Sequence, residues 1–230
     1  EFDHSNKKYD YLYLNKRPRE HRIRLYNKLK DNKSLQNSLT SFVFYSNYGK
    51  KSEKSYTYGK SDYSLEGAYE LPWLDKSKGF PMYGFDEDLY EKPYNETACS
   101  IVSETNDNDS DVFLTEKIWK CMISQHIFIV HGNYQYLKKL KDLGFKTFNS
   151  IFDESYDNIR DPNERINAIA KLIESLQGSD WLKLYEETKE IRQHNFETFW
   201  NKNVIAELIN NELLRWFKFV ESSQVSSTES

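Results

Sequence analysis

Cysteine is scarce in this chain. Cys99 and Cys121 are the only two, which excludes a disulfide framework and leaves no Cys/His spacing of a zinc site. Each falls in an apolar pattern, one in an expected strand and one in an expected helix, so both read as small buried apolar residues. Long apolar runs are missing too. None approaches the roughly 20 residues that a membrane span needs, and no signal peptide is visible. Positive charge is not in excess. Lys and Arg number 32 against 36 Asp and Glu, a net charge of -4, which argues against nucleic acid as a partner. There is no Walker loop, no G-x-G-x-x-G and no Ser-His-Asp spacing. The run Asp107, Asp109, Asp111 lacks the Gly and terminal Glu of an EF-hand. His126 and His131 bracket a strand without metal-ligand spacing, so no metal is expected. These absences fit a cytoplasmic protein that is not secreted as a disulfide-bonded product.

What is present is aromatic and polar. Aromatics make up 16% of 230 residues, with 17 Tyr and 14 Phe, which argues for a packed domain and against disorder. Mean hydropathy is -0.84, so the surface is polar. Length allows one large domain or two small ones, with a sizeable core.

Strands and helices alternate along the chain. Tyr9–Leu14 (YDYLYL) reads as a strand. A helix is expected from near Pro18, with Ile23, Leu25, Tyr26 and Leu29 on its apolar face. Ser41–Tyr45 (SFVFY) reads as a strand after a polar stretch, Asn37–Thr40. Lys50–Asn95 carries many turn signals and reads as an irregular insertion with one short helix near Glu87–Tyr90. Ala98–Val102 reads as a strand ending in Ser103-Glu104. A polar loop, Thr105–Asp111, leads to a helix headed by Thr115-Glu116-Lys117. Ile127–Val130 is the next strand, closing at His131-Gly132. A helix over Tyr134–Leu143 ends at Gly144, a normal C-terminal glycine. Phe145–Phe148 (FKTF) reads as a fifth short strand and Ile151–Tyr156 as a loop. Asp161-Pro162 starts a helix with Ile166, Ile169, Ile173 and Leu176 on one face. Gly178-Ser179-Asp180 breaks it, and a helical pattern runs from Trp181 to about Val220 with a break near Asn201–Asn203.

This alternation predicts an α/β fold: a parallel, Rossmann-like sheet with helices on both faces, then a C-terminal helical tail. Residues 9–178 form the expected α/β domain, with 50–95 inserted in it. Residues 179–220 are the C-terminal helices, and 1–8 and 221–230 are expected to be unstructured ends.

Three groups of residues could carry chemistry. Lys16, Arg17, Arg19, His21, Arg22 and Arg24 lie at and beyond the end of the first strand. Cations at a helix N-terminus oppose its dipole, so a bound polyanion would account for them. A solvated basic face is the plainer reading. Arg22 is the preferred phosphate ligand, because a planar guanidinium grips phosphate bidentately. Thr115 is a plausible N-cap, with Glu116 in the first turn where a carboxylate is favoured. Lys117 is unfavourable there without an anion nearby. A carboxylate beside an ammonium suits a nucleotide, Glu for ribose hydroxyls and Lys for phosphate. Glu104, at a strand tip, could be a base, a sugar ligand or a solvated end. His131 is read as core or surface more readily than as crevice.

The same residues resemble a known family. Glu104, a polar loop, Phe113-Leu114-Thr115-Glu116-Lys117-Ile118-Trp119 and then Phe128-Ile129-Val130-His131-Gly132 look like the donor-site motif of the alpha-1,3-fucosyltransferases. That motif reads F-E-N, a loop, Y-[IV]-T-E-K-[IL]-[WF], then a strand ending P-[IV]-V-x-G. Arg22 with Leu25, Tyr26 and Leu29 is similar to the family's R-x-x-[FY]-[YV]-x-x-L helix. Tyr45–Lys50 (YSNYGK) is similar to its strand ending D-x-Y-G-K. The likeness spans roughly Tyr9 to Phe148. Asn15–Arg22 and Gly144–Tyr156 also look like uncharacterised phage and bacterial proteins of the same broad kind, which implies the cytoplasm of a bacterium or phage-infected cell.

The resemblance implies the nucleotide-sugar-binding domain of a GT-B glycosyltransferase, inverting and metal-independent. It makes Arg22 and Lys117 diphosphate ligands and Glu116 a ribose ligand. Thr115, Lys16 and Arg19 join them as donor-site residues, and Glu104 is the candidate for catalysis. The implied donor is a GDP-sugar, with a UDP-sugar as second option, and the acceptor is a glycan or other hydroxyl. Phe113 replaces the family's Tyr, and Thr105 stands where the family has Asn. The family's acceptor domain precedes the donor domain and supplies the base. Here either that domain is a missing partner, or Lys50–Asn95 serves as a reduced one. Two other readings stand beside this one: a non-catalytic binding or structural module that retains the fold, and an unrelated α/β enzyme acting on phosphorylated substrates.

Overall fold

The computed structural model describes residues 2, 5, 7–15, 19–42, 55–58, 61–64, 89, 91–108, 111–201 and 206, with 41–42, 55–58 and 61–64 described in backbone only. Lys16, the motif at 45–50, the expected helix at 87–90 and all of the tail beyond 201 except residue 206 lie outside these residues.

Four parallel strands form the central sheet: β1 (Tyr9–Asn15), β2 (Ser38–Phe42), β5 (Thr97–Ser103) and β6 (Ile127–His131), in the order β2-β1-β5-β6. Between β2 and β5 in sequence, β3 (Ser55–Tyr58) and β4 (Ser61–Ser64) pair as an antiparallel hairpin. The helices are α1 (Glu20–Asp31), α2 (Glu91–Glu96), α3 (Glu116–Ile123), α4 (Tyr136–Asp142), α5 (Pro162–Ser175), α6 (Trp181–Glu187) and α7 (Lys189–Phe199). This is a parallel α/β sheet flanked by helices, a Rossmann-like arrangement. The unit β1-α1-β2 moves one way along the sheet and β5-α3-β6 the other. Right-handed crossovers then put α1 and α3 on opposite faces. In agreement, α1 packs on α5 and α3 packs on α7.

The strands show why the sheet holds. β5 (TACSIVS) and β6 (IFIVH) are buried along their whole length, as expected for parallel strands covered on both faces. β1 alternates. Tyr11 and Tyr13 enter the large core with Ile23, Leu25 and Leu29 of α1, while Leu12 joins Leu39 and Tyr94 in a smaller cluster. Cys99 and Cys121 are free thiols in the large core. His126 is a satisfied core residue. Its Nε2 donates to the Thr97 carbonyl at 2.7 Å, and its Nδ1 accepts from the Ser100 hydroxyl at 2.8 Å.

Several expectations are corrected. β2 begins at Ser38, within the polar stretch and three residues before the strand expected from Ser41. As an edge strand it tolerates polar side chains, and Ser38 and Thr40 bond each other at 2.8 Å. Phe145–Phe148 is not a strand. In a strand, positions i and i+3 face opposite sides. Here Phe145 and Phe148 both feed one core, Phe148 edge-on to Phe128 at 4.8 Å. The Asn195 amide donates to the Lys146 carbonyl and accepts from the Lys146 N–H, at 2.9 and 2.8 Å, the bonds a neighbouring strand would have made. The 50–95 insertion contains the β3-β4 hairpin, and its described helix is α2, running into β5. Within 151–156, expected as loop, a 3-10 turn begins at Ser155.

Candidate active site

The chain reverses direction across the sheet between β1 and β5. The loops leaving their C-terminal ends diverge there, which in open α/β sheets opens the ligand crevice. β1 delivers α1, and β5 delivers the loop 104–115 and α3. Every described residue singled out for function lies at these two exits.

Glu104 is the hub. It follows the last residue of β5 and is fully buried, at 0% exposure. Its carboxylate accepts from Thr115 Oγ1 at 2.5 Å, from Thr115 N at 3.3 Å and from the Tyr136 hydroxyl at 2.6 Å. Its own N–H donates to the His131 carbonyl, tying it to the end of β6. Its carbonyl accepts from Arg22 Nε at 3.2 Å, Arg22 Nη2 at 2.9 Å and His21 Nε2 at 3.0 Å. One residue thus joins α1, α3, α4 and β6. A carboxylate this enclosed and this fully bonded suits an organising role and has no opening to a substrate hydroxyl.

Thr115 is the N-cap of α3, accepting from Lys117 N at 3.4 Å while donating to Glu104. Lys117 folds back over that first turn. Its Nζ reaches Thr115 Oγ1 at 3.1 Å, Glu116 Oε1 at 2.9 Å and Glu104 Oε2 at 4.0 Å, with the side chain 23% exposed. Glu116 sits on the exposed side of the turn. Arg22 is buried, and its guanidinium faces the Glu104 carbonyl, the position where a phosphate ligand was expected. Burial lowers the pKa of Arg22, and the neighbouring Tyr13 offsets part of that. Arg19 is at the start of α1 and lines the crevice. Arg24 is paired with Glu20 and with the Asn163 side chain. The structure therefore brings together Arg19, Arg22, Glu104, Thr115, Glu116 and Lys117.

Sequence reasoning sets Asp107 aside with a run that lacks the EF-hand pattern, names His21 only within the basic cluster, and gives Tyr136 no role. A cleft of about 330 Å³ opens between the start of α1, the 105–108 loop and the start of α5, and Asp107 and His21 line it. Asp107 lies 3.8 Å from His21 Nδ1 and 3.8 Å from His131 Nε2, and the two imidazoles meet edge to face at 5.2 Å. Burial and the neighbouring His131 push the pKa of His21 down to about 3, and burial lowers that of His131. Burial works against ionisation of Asp107, but His131, His21 and Arg165 outweigh it and hold its carboxyl below the usual range. The loop that carries Asp107 is fixed from both sides. Arg165 holds the Asp107 carbonyl, and the Asn133 amide donates to Asn108 O and Oδ1 at 3.1 and 3.0 Å. Tyr136 has no signal in the sequence. Its ring sits against Gly132, where a Cβ would come within 2.7 Å of Tyr136 Cδ2.

Among the described residues no group of His, Cys, Asp and Glu is arranged to hold a metal ion, and no helix is long and apolar enough to cross a membrane. The fold and the crevice define the class: a Rossmann-like α/β domain whose polar side chains converge at the switch point of the sheet. Comparison with protein families, curated proteins and solved structures finds no match to the chain.

Proposed function

We propose that the chain is the donor-binding domain of a GT-B glycosyltransferase, similar in its site to the alpha-1,3-fucosyltransferases. It would transfer a sugar from a nucleoside-diphosphate sugar, a GDP-sugar by preference, to a hydroxyl of a glycan or other acceptor. The observation that carries this reading is the junction made by Glu104. It ties the start of α1, with Arg19 and Arg22, to the Thr115-Glu116-Lys117 start of α3 across the switch-point crevice. A helix start beside a strand end favours negative charge through its free N–H groups and its dipole. In this reading Lys117, Arg19 and the first turn of α3 meet the diphosphate. Arg22 adds its charge from behind the Glu104 carbonyl, and Glu116 meets the ribose. Charge develops on the leaving diphosphate in the transition state, so these groups supply the main catalytic contribution. The reaction is inverting and metal-independent by resemblance.

A thermal-shift series with GDP, UDP, GDP-fucose and UDP-glucose tests it. A ligand at 100 times its Kd stabilises by about 2.7 kcal/mol, or about 5–11 °C in a chain of this size. Lys117→Ala is expected to lose most of that shift. No shift with any of the four in the wild type, or an undiminished shift in the variant, would sink the reading. The enclosure of Glu104 favours a second reading, a non-catalytic module that retains the fold. That module would bind nucleotide and turn nothing over.

A further inference from the structure

The cleft of about 330 Å³ shares Arg19 with the diphosphate grip, but its chemistry is not that of a nucleotide pocket. Small-molecule sites measure about 300–1,000 Å³ and are lined mostly by apolar and aromatic side chains. This cleft has the volume of the smallest of them and, apart from Pro162, no apolar or aromatic side chain in its lining. A nucleobase would find no face to stack on and an acyl chain nothing to pack against. A polyanion would find no surplus of positive charge. Arg19 and Arg24 are matched by Glu20 and Asp107, and Arg24 is paired with Glu20. What fits a cleft of this size and polarity is a small neutral ring carrying several hydroxyls, each of which both donates and accepts.

The walls are held in place. Arg165 on the Asp107 carbonyl and the Asn133 amide on Asn108 fix the 105–108 loop. α1 packs on α5, and Asp161 caps α5 by accepting from Glu164 N at 2.8 Å. Asp107 is already engaged by His21 and His131, and Arg24 by Glu20 and Asn163. Other polar groups of the lining are uncommitted. Thr105 and Asn106 are half-buried, and their side chains make no hydrogen bond to the described residues. Asn163 gives its Oδ1 to Arg24 and keeps its NH2 group. An amide accepts from one ring hydroxyl with its oxygen and donates to the next with its NH2. One such amide on the loop, with a hydroxyl beside it and a second NH2 group on α5, makes up a site for neighbouring hydroxyls.

We propose that this cleft binds one saccharide ring, held by Thr105 and Asn106 from the loop and by Asn163 from α5. The ring comes from one of two sources, the sugar of the donor or a sugar of the acceptor. The donor source rests on the glycosyltransferase reading above. The chemistry of the cleft does not depend on it.

The test titrates the full chain in two arms. Calorimetry compares GDP-fucose with GDP and UDP-glucose with UDP. Amide NMR follows the methyl glycosides of fucose, galactose and glucose. If the ring is the donor's, a nucleotide sugar binds about tenfold tighter than its bare nucleotide. Asn106→Ala then narrows that gap by about fivefold and leaves the bare nucleotide within about twofold. If the ring is the acceptor's, a glycoside shifts the amide signals of residues 105–108, and Asn106→Ala weakens its binding by about fivefold. Either result supports the site and names the source. The proposal is overturned if no glycoside binds and neither nucleotide sugar binds tighter than its nucleotide. It is overturned too if Asn106→Ala and Thr105→Val both leave saccharide binding within about twofold of wild type. Binding of a glycoside without any nucleotide would overturn the donor reading and leave the saccharide site standing. Asn163→Ala repeats the comparison from the α5 wall, and decides it should the loop variants fail to fold.

Discussion

Replacing Glu104 by Gln keeps the shape of the hub and removes its charge, so it isolates what the carboxylate does. One of its two oxygens becomes an NH2 group. If that group faces Thr115, it meets a hydroxyl already accepting from Lys117 N and Lys117 Nζ. If it faces Tyr136, the phenol loses the acceptor at 2.6 Å and no other for that hydroxyl is in place. Either way a buried donor is left unmet, at about 1–3 kcal/mol, and charge-assisted bonds become neutral ones. Relief of the buried charge offsets part of this. A net loss of about 3 kcal/mol is expected, which lowers Tm by about 6–12 °C in a chain of this length. Tyr136→Phe removes one donor and keeps the other bonds, at about 1–2 kcal/mol. Because both changes strike the same bond, the double variant should fall short of the sum by 0.5 kcal/mol or more. The assay is urea unfolding followed by circular dichroism, with Tm alongside. A Tm for Glu104→Gln within 1 °C of wild type, or full additivity with Tyr136→Phe, would refute the hub.

Two further outcomes are expected. His21 has a folded pKa of about 3 against about 6.5 when unfolded, so the unfolded chain takes up protons first as the pH falls. Its contribution to stability is complete well above pH 6.5 and is lost on acidification, by about 1 kcal/mol between pH 7 and 5.5. His131 adds a loss of the same sign. Unfolding at several pH values above 5.5 should show the slope, and His21→Gln should flatten it; an equal slope in the variant contradicts the neutral assignment. Gly132→Ala places a methyl within 2.7 Å of the Tyr136 ring. It should cost about 1–3 kcal/mol by overpacking and weaken the Tyr136–Glu104 bond. Combining it with Tyr136→Phe should recover little stability, because the ring remains; full recovery would place the clash at the hydroxyl.

Local chemistry along the chain was enough to place most of the elements. The i, i+3, i+4 spacing of Ile23, Tyr26 and Leu29 marked α1, and Asp161-Pro162 marked the start of α5, where Asp161 accepts from Glu164 N. Unbroken apolar runs marked β5 and β6. Thr115 was legible as an N-cap because capping is decided within three residues. The failures share a cause. FKTF has strand composition, but both phenylalanines are drawn into one core, which no local pattern records. Ser38–Thr40 has loop composition, but lies at a sheet edge where one polar face is tolerated. The candidate site divides the same way. Arg19, Arg22, Glu104, Glu116 and Lys117 could be named in advance, since strand ends and helix starts are readable. Which groups those side chains would face could not. Arg22 turns to a carbonyl 82 residues away, and Glu104 is sealed by a hydroxyl 32 residues on. Asp107 comes to face two histidines, His21 and His131, each at 3.8 Å. Those outcomes depend on contacts far apart in sequence, and only packing the strands into the order β2-β1-β5-β6 brings the partners within reach.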